Sequence, residues 1–298
     1  MALINYTACP VCANGELTTI FSVTDFTVSK EQFPILECKN CQVRLTQNVP
    51  DQQTIGPYYQ AEAYVSHTNT KKGFINTIYH KVRNYTLQQK LQLIQKATGI
   101  NTKGFLLDVG AGTGAFAKTV KNAGWHITAL EPDNTARMVA KKEHDIDLFS
   151  NDYLFTLPEQ KFTVITLWHV LEHVHALQNY MQQFRRVLAN NGKLIIAVPN
   201  YTSMDAGYYK QNWAAYDVPR HLYHFSPQSV EKLAAVNGFI VEKMKPMWFD
   251  SFYVSMLSEQ YKKGFLPLAI IIGFISNLFA LFNTRKCSSV IYILKNID

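Results

Sequence analysis

Between about residues 100 and 245, short apolar runs alternate with glycine- and asparagine-rich turns and with amphipathic stretches. Leu106-Leu107-Asp108-Val109 reads as a buried strand, Gly110 to Gly114 as a turn, and the residues after it as a helix. Ile127 to Glu131 reads as a second strand, and a short apolar strand precedes Asn151-Asp152. Phe162 to Trp168 reads as a fourth strand, with the helix it feeds over the residues up to Val174. Asn190-Asn191-Gly192 turns the chain into a fifth strand ending at Pro199. Ser226-Pro227 caps a helix over Gln228 to Asn237, and Phe239 to Lys245 and Ser289 to Leu294 read as two further strands. A helix-like run from about Phe74 to Lys96 precedes this block. Strands alternating with helices predict an α/β domain.

The chemistry concentrates at the strand ends. A glycine loop between a strand and a helix builds a nucleotide-binding turn, and Gly110, Gly112 and Ala115 also satisfy the spacing of a dinucleotide fingerprint. Asp108 distinguishes the cofactors, because a carboxylate is unfavourable beside a pyrophosphate and favourable beside an ammonium or a sulfonium. S-adenosylmethionine carries both cations and no phosphate. Glu131, about 20 residues after the loop, stands where a carboxylate accepts ribose hydroxyls.

These segments resemble the class I S-adenosylmethionine-dependent methyltransferases, whose first motif reads D-x-G-x-G-x-G and whose second strand closes on an acid. The resemblance covers roughly residues 100 to 245. It implies a Rossmann-like seven-stranded sheet with an antiparallel last strand. It also implies cofactor contacts from Asp108, Gly110, Ala111, Gly112, Gly114, Glu131, Pro132, Asn151, Asp152 and Trp168. The family usually has Asp where Thr163 stands.

Cys9-x-x-Cys12 and Cys38-x-x-Cys41 form two knuckles around a strand-rich stretch, the pattern of a four-thiolate structural zinc ribbon. The domain expectation is a ribbon over 1–50, a helical cap over 51–98, and a methyltransferase domain over 99–298 with a lid at about 201–227 and an apolar insertion at about 264–283. Met1 to Cys12 has no basic start followed by an apolar core, so a reducing cytoplasm is expected. The net charge of +7 is scattered in lysine and arginine pairs rather than gathered in a block, which makes nucleic acid a poor partner expectation.

Methyl transfer needs alignment and, for many acceptors, removal of a proton, a task that suits histidine. His169, Glu172 and His173 spell H-x-x-E-H and would share a helix face. Trp168 and His169 are expected at the boundary of cofactor and acceptor, with Glu172 and His173 orienting that helix. The segment from Trp213 to Pro227 resembles the P-R-H-L-x-H-F element of methyltransferases of polysaccharide and glycolipid pathways, some of which also carry an amino-terminal zinc module. It implies His221 or His224 as general base, Arg220 as an anion anchor, and Tyr216, Asp217 and Tyr223 beside the acceptor; in the family the helices before the core cover the cofactor and one pocket wall, which makes Tyr58, Tyr59, Tyr64 and His67 further pocket candidates. A network of Asp217, Arg220 and Tyr223 that only fixes the lid is the competing reading.

Phe265 to Phe282 is apolar apart from Ser276 and Asn277, and lysine or arginine pairs flank it. A single crossing would separate the last strand from its antiparallel neighbour, so contact with the inner face of a membrane, or burial against protein, is expected instead. The expected activity is methylation of a small or lipid-linked saccharide acceptor. Methylation of a ribosomal RNA base and a catalytically silent cofactor-binding membrane scaffold stand as alternatives.

Overall fold

The computed structural model describes residues 3–59 and 74–297, with backbone alone over 74–81. Tyr64 and His67 lie outside the described residues. The chain divides into two compact units. One joins the amino-terminal module to His169–Tyr180 and Ala197–Tyr292; the other runs up to Trp168 and adds Met181–Ile196 and the last residues.

In the second unit, strands β6 (Phe105–Val109), β7 (His126–Leu130) and β8 (Phe162–Trp168) are parallel, in register Asp108 to Ala129 on one side and Asp108 to Thr166 on the other. Leu106, Leu107, Val109, Val164, Ile165 and Leu167 are fully buried, as strands covered on both faces require. Thr163, where the family usually has an acid, donates to Phe105 O and accepts from Phe105 N, which pins the start of β6.

Strands β9 (Leu188–Pro199), β11 (Phe239–Pro246) and β12 (Ser289–Asn296) complete a six-stranded sheet in the order β11-β12-β9-β8-β6-β7. Met247 N, just past β11, donates to Ser289 O at the start of β12, so the last strand runs antiparallel to its neighbour. Seven strands were expected. Beyond β7, the third in sequence is reduced to the parallel bridge Leu130–Phe149, held by Glu131 N to Phe149 O and Phe149 N to Ala129 O. Two hydrogen bonds are too few for a strand, and the preceding Asp145 and Asp147 turn outward to Lys141.

The first unit contains the cysteine module. Strands β2 (Leu17–Thr24), β3 (Gln32–Cys38) and β4 (Arg44–Thr46) form an antiparallel meander, and β1 (Leu3–Ile4) pairs with β5 (Val49–Pro50). The module does not end near residue 50. Strand β10 (Tyr223–His224), from the predicted lid, pairs antiparallel with β4 and makes the meander four-stranded. Around it, Trp213, Tyr209, Tyr216, Phe33, Ile35 and Val254 pack into one apolar cluster.

Candidate functional site

The glycine turn follows β6 directly. Gly110, Gly112 and Gly114 all have positive φ, at 72°, 55° and 77°. Gly110 N and Ala111 N both donate to Leu130 O at 2.8 Å, folding the turn over the end of β7. At Gly114 a Cβ would lie 2.9 Å from the Ala140 Cβ, so this position needs glycine for space as well as for conformation. At Gly112 a Cβ would meet nothing within 4 Å, which leaves the turn open to a ligand.

Two carboxylates frame the turn. Glu131 accepts from Gly112 N at 2.8 Å and from Asp133 N at 3.0 Å, and burial raises its pKa against the pull of those donors. Asp108 is buried and accepts one hydrogen bond, from Thr166 Oγ1 at 2.7 Å. Burial pushes its pKa up to about 7. Such a carboxyl gains from a cation placed beside it. Trp168, at the end of β8, packs edge-on to Phe116 with Lys90 Nζ 4.4 Å over its ring, and its buried Nε1 has no hydrogen-bond partner. Asn151 opens a short 3-10 turn with its buried Oδ1 unpaired, whereas Asp152 and Pro132 are exposed. Buried polar atoms without partners are costly in a free protein and are relieved by a ligand that pairs them.

A cationic ligand beside Asp108 requires the ionised carboxylate, so binding releases a proton wherever the free protein holds one. S-adenosylmethionine affinity is expected to rise with pH, by at most about tenfold per unit, and to level off above about pH 7. Calorimetric titration of the wild type and Asp108→Asn across this range checks it: the variant should bind more weakly and lose the slope.

The other unit holds the histidines. The H-x-x-E-H run is not an α-helix. His169 takes φ 57°, Leu171–His173 form one 3-10 turn, and the helix starts only at Leu177. His169 N still extends the sheet ladder, donating to Ala197 O at 2.9 Å, and the left-handed residue then turns the chain away. His169 Nε2 lies 2.8 Å from Asp250 and Nδ1 lies 3.4 Å from Glu172. Burial opposes its charge, but the Asp250 carboxylate and then Glu172 raise its pKa to about 10. His169, expected at the boundary of cofactor and acceptor, is thus an imidazolium clamped between two acids, a proton donor.

His221 donates from Nδ1 to Ala215 O at 2.8 Å, and its Nε2 makes no hydrogen bond but lies 3.9 Å from the Asp217 carboxylate. His173, stacked edge-on to it at 4.5 Å, likewise uses Nδ1 on Arg220 O. Burial, with His221 beside it, lowers the His173 pKa to about 4, so that ring is neutral. Glu172 is fully buried, and its 3.4 Å approach to His169 is an ion pair without a hydrogen bond to either oxygen. Ligand atoms of Glu172, His173 and His221 all lie within 4.8 Å of one another, so the three can hold a metal ion or share a proton.

Four expected acceptor contacts and one expected base are committed elsewhere. The Arg220 guanidinium, expected to hold an anion, is buried on Asp217, Tyr58 O, Thr27 and Asp25. Asp217 is the partner of that arginine, Tyr216 accepts from Arg44, and Tyr223 donates to His175 O from within β10. His224 is buried, with Nε2 bonded to Thr46 Oγ1 and its pKa driven well below the usual value by burial. With Thr46 donating to His221 O, the His224 Nε2 is the donor, and its one lone pair points into the interior. Asp250 and Lys90 were missed by sequence reasoning, and no local motif marks either.

The two cysteine knuckles are built alike. Ala13 N donates to Cys9 O and Gln42 N to Cys38 O, and both donors have left-handed φ. All cysteines are free thiols, and the four sulfurs lie within 4.8 Å of one another, with Cys9 to Cys41 at 3.5 Å and Cys12 to Cys38 at 3.6 Å. That spacing is too long for disulfides and fits the edges of a tetrahedron of thiolates about 2.3 Å from one ion.

A parallel sheet that carries an open glycine turn and an acid on each of two neighbouring strand ends defines a protein that binds an adenosine-type cofactor. A methyltransferase-domain family model matches residues 79–243, more than half of the sequence, and the chain belongs to that family. Among curated relatives, a ubiquinone biosynthesis O-methyltransferase of Actinobacillus pleuropneumoniae is 31% identical over 36% of this chain and 50% of its own. A demethylmenaquinone methyltransferase of Tropheryma whipplei is 26% identical over 42% and 54%. The chain thus spans about half the length of these relatives. The magnesium protoporphyrin IX methyltransferase of Synechocystis shares the fold with a TM-score of 0.54 at 12% identity, over 82% of this chain and 99% of that one. A SAM-dependent methyltransferase from Archaeoglobus fulgidus gives 0.50 at 16%, over 75% and 100%.

Proposed function

We propose that the protein transfers the methyl group of S-adenosylmethionine to a protic group of a small or lipid-linked acceptor, a saccharide or glycolipid intermediate, with His221 as general base. The observation that carries this reading is the His221 ring, whose Nδ1–H is fixed on Ala215 O while Nε2 makes no hydrogen bond, in one cluster with Glu172 and His173. With Nδ1–H held on a carbonyl, the ring presents Nε2 to take a proton from the nucleophile, and Glu172 would stabilise the resulting positive charge. His169, already protonated, is held by the Asp250 carboxylate and orders the turn that follows Trp168.

The residues around the glycine turn fit the cofactor. Asp108 suits its ammonium and Glu131 its ribose hydroxyls as buried carboxylate acceptors, and Asn151, whose buried Oδ1 is unpaired, suits its adenine. The cofactor supplies an electrophilic methyl on a sulfonium; the chain binds, orients and deprotonates. The family relation, and relatives named for ubiquinone biosynthesis and for demethylmenaquinone methylation, support a small acceptor. The four cysteines are read as a structural zinc site.

A second reading is favoured by Glu172 having no hydrogen bond to either oxygen: a divalent cation on Glu172, His173 and His221 would lower the acceptor's pKa. The test is transfer of labelled methyl from S-adenosylmethionine into cell extract, fractionated into lipid, small molecules and RNA, with and without a chelator. Label in the lipid or sugar fraction that survives chelation supports the base; label lost on chelation and restored by a divalent ion supports the cation. Label in RNA overturns the acceptor class, and cofactor binding without label in any fraction makes the protein a silent scaffold.

A further inference from the structure

The helix Leu266–Phe282 is turned inside out. Its buried residues are mostly small or polar, namely Ala269, Gly273, Ser276 and Ala280, with Ile272. Ser276 donates to the buried Asp205 at 2.7 Å, and Asn277 donates to Trp248 O at 2.8 Å. Gly273 approaches the preceding helix, Asp250–Lys262, so closely that a Cβ would lie 3.0 Å from the Phe252 Cα. The bulky residues point outward: Phe265 is 70% exposed, Phe274 62%, Leu281 67% and Phe282 87%. Ile270, Ile271, Leu278 and Phe279 are exposed with them, and the preceding helix adds Tyr253 and Met256. A helix between protein and water has the opposite polarity. A contiguous patch of this kind marks a contact with something apolar.

Charge identifies the occupant. Lys262 and Lys263 stand before the helix and Arg285 and Lys286 after it, all exposed. From Trp248 to Lys286 the carboxylates are Asp250 and Glu259 alone; the first is held by His169 and the second is buried. Arg285 is already paired with Glu231, and a second copy related by a two-fold axis would bring Lys262, Lys263 and Lys286 together with no acid between Trp248 and Lys286 left to pair them. An anionic lipid surface pairs them, and Trp248, Phe249 and Tyr253 suit the level of its head groups. Seventeen residues at about 1.5 Å each fall short of the roughly 30 Å hydrocarbon core. No helix among the described residues is long and apolar enough to cross a membrane.

We propose that the hairpin formed by Asp250–Lys262 and Leu266–Phe282 lies flat on an anionic lipid surface, with Phe265, Phe274, Leu281 and Phe282 immersed and the flanking cations on the head groups. Because Asp250 begins this hairpin and holds His169, the docked surface is tied directly to the histidine cluster.

The test is flotation of the full chain with phosphatidylcholine vesicles, with and without phosphatidylglycerol, beside sedimentation velocity of the protein alone. Binding is expected to the anionic vesicles, to weaken with salt, and to fall at least tenfold in the double variant Phe274→Ser/Leu281→Ser. Lys262→Glu/Lys263→Glu should remove the preference for anionic lipid. Phe274→Ser/Leu281→Ser should keep the wild-type melting temperature, since it changes exposed side chains only, whereas Lys262→Glu also gives up the contact of the ammonium with the Tyr208 and Tyr209 rings. Failure to float with either vesicle overturns the proposal, and so does a dimer that ignores vesicles and dissociates in Phe274→Ser/Leu281→Ser. Flotation requires no turnover, so it remains informative whether or not the methyl-transfer reading holds.

Discussion

Replacing His221 by Gln should lower the methyl-transfer turnover number by about a hundredfold to ten-thousandfold, the usual contribution of a positioned general base. Gln can still donate to Ala215 O, so the local fold is kept while the proton acceptor is lost. The loss should fall on kcat, with S-adenosylmethionine affinity unchanged within about twofold, because binding is built from β6, β7 and the turn between them. His224→Gln is the contrast: its ring is bonded to Thr46 within the β10–β4 pair, so the change should lower the melting temperature and leave the pH profile of turnover intact. Steady-state kinetics and calorimetric cofactor titration on the two variants separate these outcomes. Equal turnover in His221→Gln and the wild type would remove His221 as the base.

Metal content sets the second large effect. The purified chain should contain one tightly held zinc, which Cys38→Ser abolishes, with a fall in melting temperature of roughly 10 °C or more. The reason is coupling. A structural zinc contributes about 10 kcal/mol or more of apparent binding free energy to the folded form, and several kcal/mol lost moves a domain of this size by about 2–4 °C each. Here the effect reaches beyond the knuckles, because Cys38 ends β3, β3 pairs with β4, and β4 pairs with β10. Opening the ribbon therefore loosens the segment that carries His221 and Arg220. Elemental analysis and thermal melts with and without a strong chelator provide the check. A metal-free wild type with the melting temperature of Cys38→Ser would dismiss the zinc site.

Some of this was legible because it is local. Asp108 and the three glycines lie within seven residues, and the left-handed turn they make depends on neighbours in sequence. Each cysteine knuckle is likewise closed by bonds between residues four and five apart. That β6, β7 and β8 are strands follows from apolar runs that are buried on both faces.

The polar-aromatic run from Tyr216 to His224 was read as an acceptor lid, and most of it is interior wiring. Sequence shows which groups can ionise or donate; it does not show which already have partners. Arg220 meets Asp25 across 195 positions, His224 meets Thr46 across 178, and both pairings exist because β10 joins a sheet begun at residue 17. The same holds for His169, whose charge is set by Asp250, 81 residues later.

What the sequence determined by itself was the cofactor turn, the thiol cluster and the alternation of strands and helices, because these rest on backbone conformation and on periodicity within a few residues. The tertiary structure alone decided that Arg220 and His224 are sealed in, that His169 is held protonated, that His221 is fixed through Nδ1 on Ala215 O, and that an apolar helix faces outward. Those outcomes depend on burial and on charges brought close from far along the chain. A residue's pKa and its free lone pairs follow from that packing.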